Sequence, residues 1–512
     1  MPGAAQSAVL LTAYHIFSAF TIFCLASIRC LFVCSVVCCF YHFSCVLGIL
    51  LHLHKREQAY IMEAFMYRDL TKGNISRALL FFALPMIAGN LLQQFYNIAD
   101  TLIVGQVIGS NALAAVGSAY TLMTFLTSVF LGLSMGSGAF FSICRGQNDS
   151  KKLKLAVGHS FSLIAAVTAA VTLLVYLFLS PILSFLQVPD DVWDGMKAYL
   201  LIIFAGIPAT SLYNFFSCLL RALGNSSVPL VFLAVSSLLN VGLDLLFVAV
   251  FPWGIEGAAA ATVLSQYVSG IGITVYVWLR SRDLLPSRKD FTFQKEILKE
   301  VLNLSSLTCL QQSVMNFGIL MVQGLVNSFG SVIMAAFAAA VKVDTFAYLP
   351  VQDFGNAYST FIAQNYGAGK QDRIRKGTKQ SFLISICFSL VISAAVFLGA
   401  PFLMQIFVHA DETDVIAAGV SYLRIEGAFY CGIGCLFLLY GYFRAVKQPG
   451  MSVVLTVISL GARVALAYLL SAWIGETGIW MAIPIGWGLA DAVGLFCMYR
   501  QNRRTVTAKT GA

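Results

Sequence analysis

Charged side chains are scarce in this chain. They make up 11% of its 512 residues, whereas hydrophobic residues make up 59%. A typical soluble domain carries about 25% charged residues, so the scarcity excludes a soluble enzyme, a disordered chain and a nucleic-acid-binding protein with a polar basic domain. Because a spanning helix needs about 20 apolar residues, the composition predicts a polytopic helical membrane protein surrounded by the lipid bilayer.

Motifs for ATP hydrolysis, metal binding and disulfide frameworks are missing as well. The segment from Gln364 to Gln371 is similar to a phosphate-binding loop, but Gln364 replaces its first glycine and no serine or threonine follows Lys370. The thirteen cysteines and six histidines show no metal-ligand spacing. We therefore expect a transporter, not an enzyme, with no cofactor, no resident metal and an ion gradient as its energy source.

Apolar stretches recur from Ala78 onward with short breaks. Their lengths predict an all-α fold of twelve transmembrane helices, six in an N-lobe at 62–279 and six in a C-lobe at 298–500. A cytoplasmic linker at 280–297 separates the lobes, and a cytoplasmic tail occupies 501–512. The expected helices lie near 78–106, 111–140, 155–181, 195–220, 229–250, 255–279, 298–328, 331–362, 376–403, 416–443, 450–473 and 478–499.

Residues 1–61 form an atypical N-terminal extension that holds six of the thirteen cysteines and little charge. Met62 begins a polar lead into the first lobe, so we interpret 1–61 as an over-extended start outside the working fold. The alternative is a pair of additional spanning segments near 8–28 and 31–51. A cleaved secretory signal is disfavoured, because no small-residue cleavage site follows.

Loop charges alternate along the chain. The loops around 145–154, 280–295 and 370–379 are basic, whereas those around 190–194 and 411–414 are acidic. Since basic loops stay in the cytoplasm, the alternation predicts a multi-pass protein of the cytoplasmic membrane with both termini inside. The net charge of +9 therefore reports topology, and no nucleic-acid partner is expected.

The two halves of the chain repeat each other. Tyr199 and Arg221 of the first half recur as Tyr422 and Arg444 in the second, within the pairs Tyr-Leu and Arg-Ala. Each helix of the first half corresponds to the helix six places later in the second half. Because six is an even number, corresponding helices cross the membrane in the same direction. Parallel repeats of this kind are one architecture of transporters, with the site between the halves.

Helix 1 carries four polar residues at helical spacing on one face: Asn90, Gln93, Asn97 and Asp100. A carboxylate at the bilayer centre costs about 2.5–3.5 kcal/mol, so Asp100 faces a wet cavity, binds a cation or stays protonated. Pro85 on the same helix removes a backbone hydrogen bond and serves either as a hinge or only in packing.

A second carboxylate lies in helix 5, where Asn240 and Asp244 are one turn apart, and helix 6 adds Thr262. Two carboxyl groups in one apolar cavity favour uptake of a proton, and with amide and hydroxyl oxygens beside them the same residues suit Na⁺. We therefore predict a cation-binding site at Asp100, Asn240, Asp244 and Thr262. The alternative, that Asp100 and Asp244 merely bridge helices, stays open.

Several short motifs identify a family only in combination, because each motif alone is weak evidence. They are Pro85, Asn97-Ile-Ala-Asp100, Arg221-Ala-Leu-Gly-Asn, Asn240-x-x-x-Asp244, Gly257-Ala-Ala-x-Ala-Thr262 and Thr360-Phe-x-x-Gln364-Asn365-Tyr-Gly. With these motifs, the chain from about Leu70 to Arg504 resembles the multidrug and toxic compound extrusion (MATE) family of bacterial secondary exporters.

The resemblance implies two six-helix lobes around a V-shaped cavity and a monomeric antiporter that works by alternating access. Na⁺ or H⁺ enters down its gradient while an organic, often cationic, compound leaves. Carried over by motif, cation binding falls on Asp100, Asn240, Asp244 and Thr262, and helix 1 bends near Pro85. The candidates for the substrate path are polar residues of helices 1, 7 and 8: Asn90, Gln93, Asn97, Gln312, Asn316 and Asp344.

Some positions depart from the family pattern. Beyond Glu300 at its start, helix 7 has no acidic residue, which speaks against a second cation site in the C-lobe. In helix 10, Arg424 and Glu426 are expected to pair, and in helix 8, Lys342 and Asp344 form either a buried pair or part of the substrate path.

The same fold also serves an alternative cargo. A flippase for a lipid-linked oligosaccharide or cell-wall precursor would carry an anionic pyrophosphate and would need basic residues in its cavity. Arg463 is the main basic candidate within a helix. An integral-membrane transferase is disfavoured, because the chain lacks an acidic metal-binding motif.

Overall fold

The computed structural model describes residues 68–185, 188, 190–285, 294–409 and 411–510. The expectations for residues 1–61 and for most of the linker therefore lie outside the described residues. Across the described ranges the secondary structure is helical throughout, and no strand occurs. Within this described part of the chain, eleven helices are long and apolar enough to cross a membrane, and a bent pair adds a twelfth. The predicted all-α architecture is confirmed.

The first lobe contains six helical spans, α1 to α6. Two of them are irregular: α4 is interrupted by the 3-10 turn Phe204–Gly206, and α5 continues into the π-helical turn Leu245–Val250. A short helix, Leu179–Phe185, follows α3. The spans are α1 Ile75–Val107, α2 Ser110–Gly146, α3 Ser150–Leu177, α4 Asp190–Ile203 with Ile207–Ala222, α5 Ser227–Asp244 and α6 Gly254–Arg280.

The second lobe repeats this order with α7 to α12. Its span α10 consists of two halves that meet at an angle of 51°. The last helix continues to Thr510, so most of the predicted tail extends that helix. The spans are α7 Lys295–Asn327, α8 Ser331–Gly367, α9 Gln371–Gln405, α10 Thr413–Gly427 with Tyr430–Ala445, α11 Pro449–Ile474 and α12 Glu476–Thr510.

Local capping marks where helices begin. The side chain of Asn74 accepts a hydrogen bond from the backbone N–H of Arg77 at the start of α1, and Asp149 does the same for Lys152 at the start of α3. Such caps satisfy N–H groups that have no partner within the helix. Pro85 lies inside α1, as predicted from the sequence.

The first helix of each lobe is shared with the other lobe. Leu79 and Phe82, near the start of α1, belong to the apolar cluster of the C-lobe, whereas Val104 at its far end belongs to a cluster of the N-lobe. Conversely, Val301 near the start of α7 packs in an N-lobe cluster, and Val326 packs in that of the C-lobe. The two lobes therefore exchange the beginnings of their first helices.

Glycines bring the lobes into backbone contact. A β-carbon on Gly136 of α2 would overlap the backbone of Leu304 in α7. Where α2 and α8 end, a β-carbon on Gly146 would overlap the carbonyl oxygen of Gln364, and one on Gly367 would overlap that of Ile143. We call this end of the bundle, where α1 begins and α2, α4, α8 and α10 end, the basic end, after its loops.

Candidate functional site

Two carboxyl groups lie close together inside the N-lobe. Asp100 of α1 and Asp244 of α5 interact with each other electrostatically. Asp244 is fully buried, and Asn240 one turn earlier retains only 2% exposure. The polar face of α1 therefore meets the face of α5 that carries Asn240 and Asp244, as predicted from the sequence.

Asn240 and Thr262 complete this group, which we call the oxygen cage (Asp100, Asn240, Asp244 and Thr262). The amide nitrogen of Asn240 donates a hydrogen bond to Thr262 Oγ1 at 3.3 Å, which turns Asn240 Oδ1 toward other partners. That oxygen, both carboxylate oxygens of Asp244 and Oδ1 of Asp100 are buried without a hydrogen-bond partner among the described residues. Hard oxygen atoms in this number suit a proton or Na⁺.

The backbone beside the cage is irregular. Asp244 is the last residue of α5 before the π-helical turn Leu245–Val250. Turns of this kind occur often at functional sites, and this one sets the direction of the helix beyond Asp244. Tyr96 of α1 and Tyr199 of α4 lie close enough to interact electrostatically with both carboxyl groups.

A cavity of about 240 Å³ lies between the lobes, on the side of the cage toward the basic end. Three of the predicted substrate-path residues line it: Asn90, Gln93 and Gln312. The remaining three do not: Asn97, Asn316 and Asp344. Its wall is built from α1, α2, α4, α5 and α6 of one lobe and from α7, α8 and α10 of the other.

Asp353 of α8 is a cavity residue that the sequence analysis missed. It is buried to 2% exposure, and Asn90 Nδ2 donates to both of its carboxylate oxygens, at 2.7 and 2.8 Å. This contact joins the two lobes across the cavity. The available signal was an acidic residue inside an apolar span, because such residues are costly and usually functional.

Two arginines also line the cavity, Arg221 of α4 and Arg444 of α10. From the sequence, both were recognised as a pair repeated between the two halves, and their places beside basic loops gave no sign that they line a cavity. Arg444 retains only 5% exposure. The thiol of Cys218, which lines the same cavity, lies within electrostatic reach of both guanidinium groups.

A second buried polar cluster lies within the C-lobe. Asp344 of α8 interacts electrostatically with Glu426 and Tyr430 of α10, while Arg463 of α11 interacts electrostatically with both acids. Arg463 therefore faces this cluster and is absent from the cavity lining. Asp344, one of the residues expected in the substrate path, lies in this cluster and does not line the cavity.

Two side-chain pairs expected from the sequence do not form. Lys342 is exposed and its ammonium group lies 6.0 Å from the ring centre of Phe407, while Asp344 is buried. Arg424 is likewise exposed, over the ring of Phe397, while Glu426 is buried. Residues two positions apart on a helix point to different sides, so neither pair can meet.

No group of three or more histidine, cysteine, aspartate or glutamate residues able to hold a metal ion occurs among the residues that the structure describes. The cage has two carboxylates, and its other oxygens come from an amide and a hydroxyl. Its donor set fits a monovalent cation that is bound and released.

Comparison with known proteins gives concordant matches. The profile of the MatE family matches residues 85–246 and 307–469. The chain is 30% identical to the probable multidrug resistance protein YpnP of Bacillus subtilis, over 85% of this chain and 97% of YpnP. It is 23% identical to an FAD transporter of Shewanella oneidensis, over 85% of this chain and 96% of that protein.

Solved structures agree with these matches. A crystal structure of a mutant of the Vibrio cholerae MATE transporter VcmN superimposes with a TM-score of 0.79, at 22% identity, over 84% of this chain and 97% of VcmN. At this level of identity the similarity concerns the fold, and it confirms two six-helix lobes around a V-shaped cavity.

Proposed function

This chain belongs to the multidrug and toxic compound extrusion (MATE) family, and we propose that it exports small organic compounds in exchange for Na⁺ or H⁺. It is a membrane transporter and not an enzyme. The names of its relatives support export of drugs, and the oxygen cage supports coupling to a cation. The cavity between the lobes is the proposed substrate site.

One observation carries the coupling hypothesis. The helix α1 holds both Asp100 of the cage and Asn90, which lines the cavity and is bonded to Asp353 of the other lobe. Binding of a cation at Asp100 neutralises a buried charge and changes how α1 packs, and the same helix transmits that change to the cavity. Pro85, close to Asn90, is the proposed hinge. Cation entry and substrate release are thus coupled through one element.

The coupling hypothesis is tested in proteoliposomes with an imposed Na⁺ gradient or an imposed proton gradient, each alone. Asp100→Asn and Asp244→Asn are expected to abolish gradient-driven export, because each removes a charge that the cation neutralises. Asp194→Asn is the matched control, since Asp194 is an exposed acid of α4 outside the cage. Unchanged transport in both cage variants would exclude the cage as the coupling site, and the gradient that drives wild-type export identifies the ion.

The basic loops, the cage and the cavity also support a proposal for the membrane location and the oligomeric state of the protein. We place it in the cytoplasmic membrane with the basic end in the cytoplasm, since basic loops are retained there. We also expect it to work as a monomer, because the cage and the cavity are both built within one chain.

A flippase for a lipid-linked precursor is the second candidate. The observation that favours it is the presence of Arg221 and Arg444 in the cavity wall, where a pyrophosphate would need cations. A fluorescent lipid-linked substrate, with its exposure in each leaflet measured by chemical quenching, separates the two functions. Flipping without export of any soluble compound would favour the flippase.

A further inference from the structure

We propose that Arg221 and Arg444 together bind an anionic group, a phosphate or a carboxylate, on the compound that the cavity carries. The inference rests on the proposed function and names its substrate class. It differs from the organic cations that the family resemblance implies.

The two arginines occupy equivalent places in the two repeats. Each lies in the last turn of its helix, Arg221 before Ala222 at the end of α4 and Arg444 before Ala445 at the end of α10. Both line the cavity, and Cys218 interacts electrostatically with both. The two repeats thus direct two guanidinium groups toward one region of the cavity.

Neither guanidinium group has an ionic partner among the residues that the structure describes. The ion pairs among the described residues join Lys72 to Asp69 and both Lys152 and Lys447 to Glu300, and none includes either arginine. The Nε atoms of Arg221 and Arg444 are buried without a hydrogen-bond partner. Burying an unpaired charge is expensive, so the pair is best explained by a ligand that supplies the opposite charge.

Helix capping does not explain why Arg221 lies at the end of α4 or why Arg444 lies at the end of α10. Cations do stabilise helix C-termini, but the carbonyl groups there already have partners. The carbonyls of Leu219, Leu220 and Arg221 accept bonds from backbone N–H groups, and that of Ala222 accepts one from Gln364 Nε2 at 2.8 Å. In α10, the carbonyls of Tyr442, Phe443 and Arg444 are satisfied in the same way.

Asp353 does not neutralise the pair. It interacts electrostatically with Arg221, but no ion pair joins the two side chains, and both of its oxygens accept from Asn90. Tyr213 and the thiol of Cys218 are further titratable groups that face Arg221, and neither carries a carboxylate charge. The cavity therefore holds two guanidinium groups against one carboxylate, and that carboxylate already has a hydrogen-bond donor.

Guanidinium groups recognise phosphate and carboxylate through charged hydrogen bonds. An anionic group at the arginine pair would leave the remainder of the compound against the polar side chains of the cavity, such as Gln93 and Gln312. The anion can belong to a soluble organic compound or to a lipid headgroup, and the experiment separates these two sources.

The test compares two xanthene dyes of similar size, anionic carboxyfluorescein and cationic rhodamine 123, in proteoliposomes with an imposed gradient. We expect wild-type protein to export carboxyfluorescein, and Arg444→Gln to lower the ratio of carboxyfluorescein to rhodamine export by at least about tenfold. Arg444→Lys keeps the charge and is expected to retain most of the ratio. Arg280→Gln is the matched control, because Arg280 is an exposed arginine in the last turn of α6.

Equilibrium binding separates this inference from the proposed function. If purified protein binds carboxyfluorescein in an arginine-dependent way but exports nothing, the export function is wrong and the anion site stands. If rhodamine is exported while carboxyfluorescein is neither bound nor exported, the anion site is overturned. A parallel assay of phosphatidylglycerol flipping assigns the anion to a lipid if only the lipid is moved in an arginine-dependent way.

Cys218 offers a measurement that does not depend on transport. Two methanethiosulfonate reagents of similar size, one with a sulfonate and one with a quaternary ammonium, are applied to the full chain, and labelling of Cys218 is followed by mass spectrometry. The sulfonate reagent is expected to react faster than the ammonium reagent, and Arg221→Gln should reverse that preference. Equal rates in wild-type protein would show that the cavity is not cationic.

Discussion

Asn90 of α1 donates through Nδ2 to both carboxylate oxygens of Asp353 in α8, at 2.7 and 2.8 Å, across 263 residues of sequence. The bond joins the N-lobe to the C-lobe inside the cavity. It also gives the buried carboxylate of Asp353 a hydrogen-bond donor from the opposite lobe. Any movement that separates the lobes at this level has to break it.

Asn90→Ala is expected to destabilise the protein by about 1–3 kcal/mol, the cost of leaving a buried acceptor without its partner. Thermal unfolding in detergent measures the change. The control is Gln323→Ala, which removes an exposed hydrogen bond to Asn327 within α7 and should have little effect. In the Asp353→Asn background, Asn90→Ala should lower the stability by less than it does in the wild-type protein. Equal losses of stability in the two backgrounds would mean that the two residues act independently.

Gly146→Ala and Gly367→Ala are expected to hold the lobes apart at the basic end. Each added methyl group would overlap a backbone carbonyl of the opposite lobe, at Gln364 and Ile143 respectively, and a backbone cannot move aside as a flexible side chain can. Spin-label distances across the basic end measure the separation, which should increase in both variants.

Gly324→Ala is the control for the glycine variants. A β-carbon at this helical position of α7 meets no atom within 4 Å, and alanine favours the helix by up to about 1 kcal/mol. If Gly146→Ala and Gly324→Ala give the same distances, the glycine contact does not set the separation of the lobes at the basic end.

Thr262→Val is expected to raise the Na⁺ concentration needed for half-maximal export if Na⁺ is the coupling ion. The change removes Oγ1, which accepts from Asn240 Nδ2 and so orients the Asn240 oxygen in the cage. Thr262→Ser retains the hydroxyl and serves as the control. A proton-coupled exporter should respond weakly to Thr262→Val, so Na⁺ titration of both variants discriminates between the ions.

Arg373→Ala is expected to release the segment that precedes α1. The guanidinium group of Arg373 donates to the carbonyl oxygens of Leu70, Lys72 and Gly73, at 3.2, 2.6 and 2.7 Å. The three bonds come from three different nitrogen atoms of the planar guanidinium group, whereas lysine has a single nitrogen at the end of its side chain. Arg373→Lys should therefore restore little. Limited proteolysis between residues 68 and 74 measures the release, and Arg375→Ala controls for loss of charge in the same turn.

Hydropathy and helical spacing were enough to predict the spans and the cage. Asp100 and Asp244 could be placed together because each stands on a polar face within an apolar helix, and only an inward orientation avoids lipid. The order of the spans followed from their lengths and from the alternating loop charges. These are local properties, and a single chain displays them directly.

Contacts between lobes could not be predicted in the same way. Asp353 meets Asn90 only because α1 and α8 pack across the cavity, and no pattern in either helix specifies that partner. Arg444 stands beside a basic loop, so topology explained its charge and hid its burial at 5% exposure. The expected pair of Arg424 with Glu426 and the alternative pair of Lys342 with Asp344 do not form, because residues two positions apart in sequence point to different sides of a helix.

The exchanged beginnings of α1 and α7 make this chain comparable to a domain-swapped dimer whose two subunits are joined in one polypeptide. Leu79 and Phe82 complete the apolar interior of the half to which α1 does not belong, and Val301 does so in return. Neither half is a self-sufficient folding unit, and each fragment produced alone would expose an unfilled apolar groove. Because of the same interlocking, a tilt of one half against the other would bend α1 and α7, the two helices that pack in both halves.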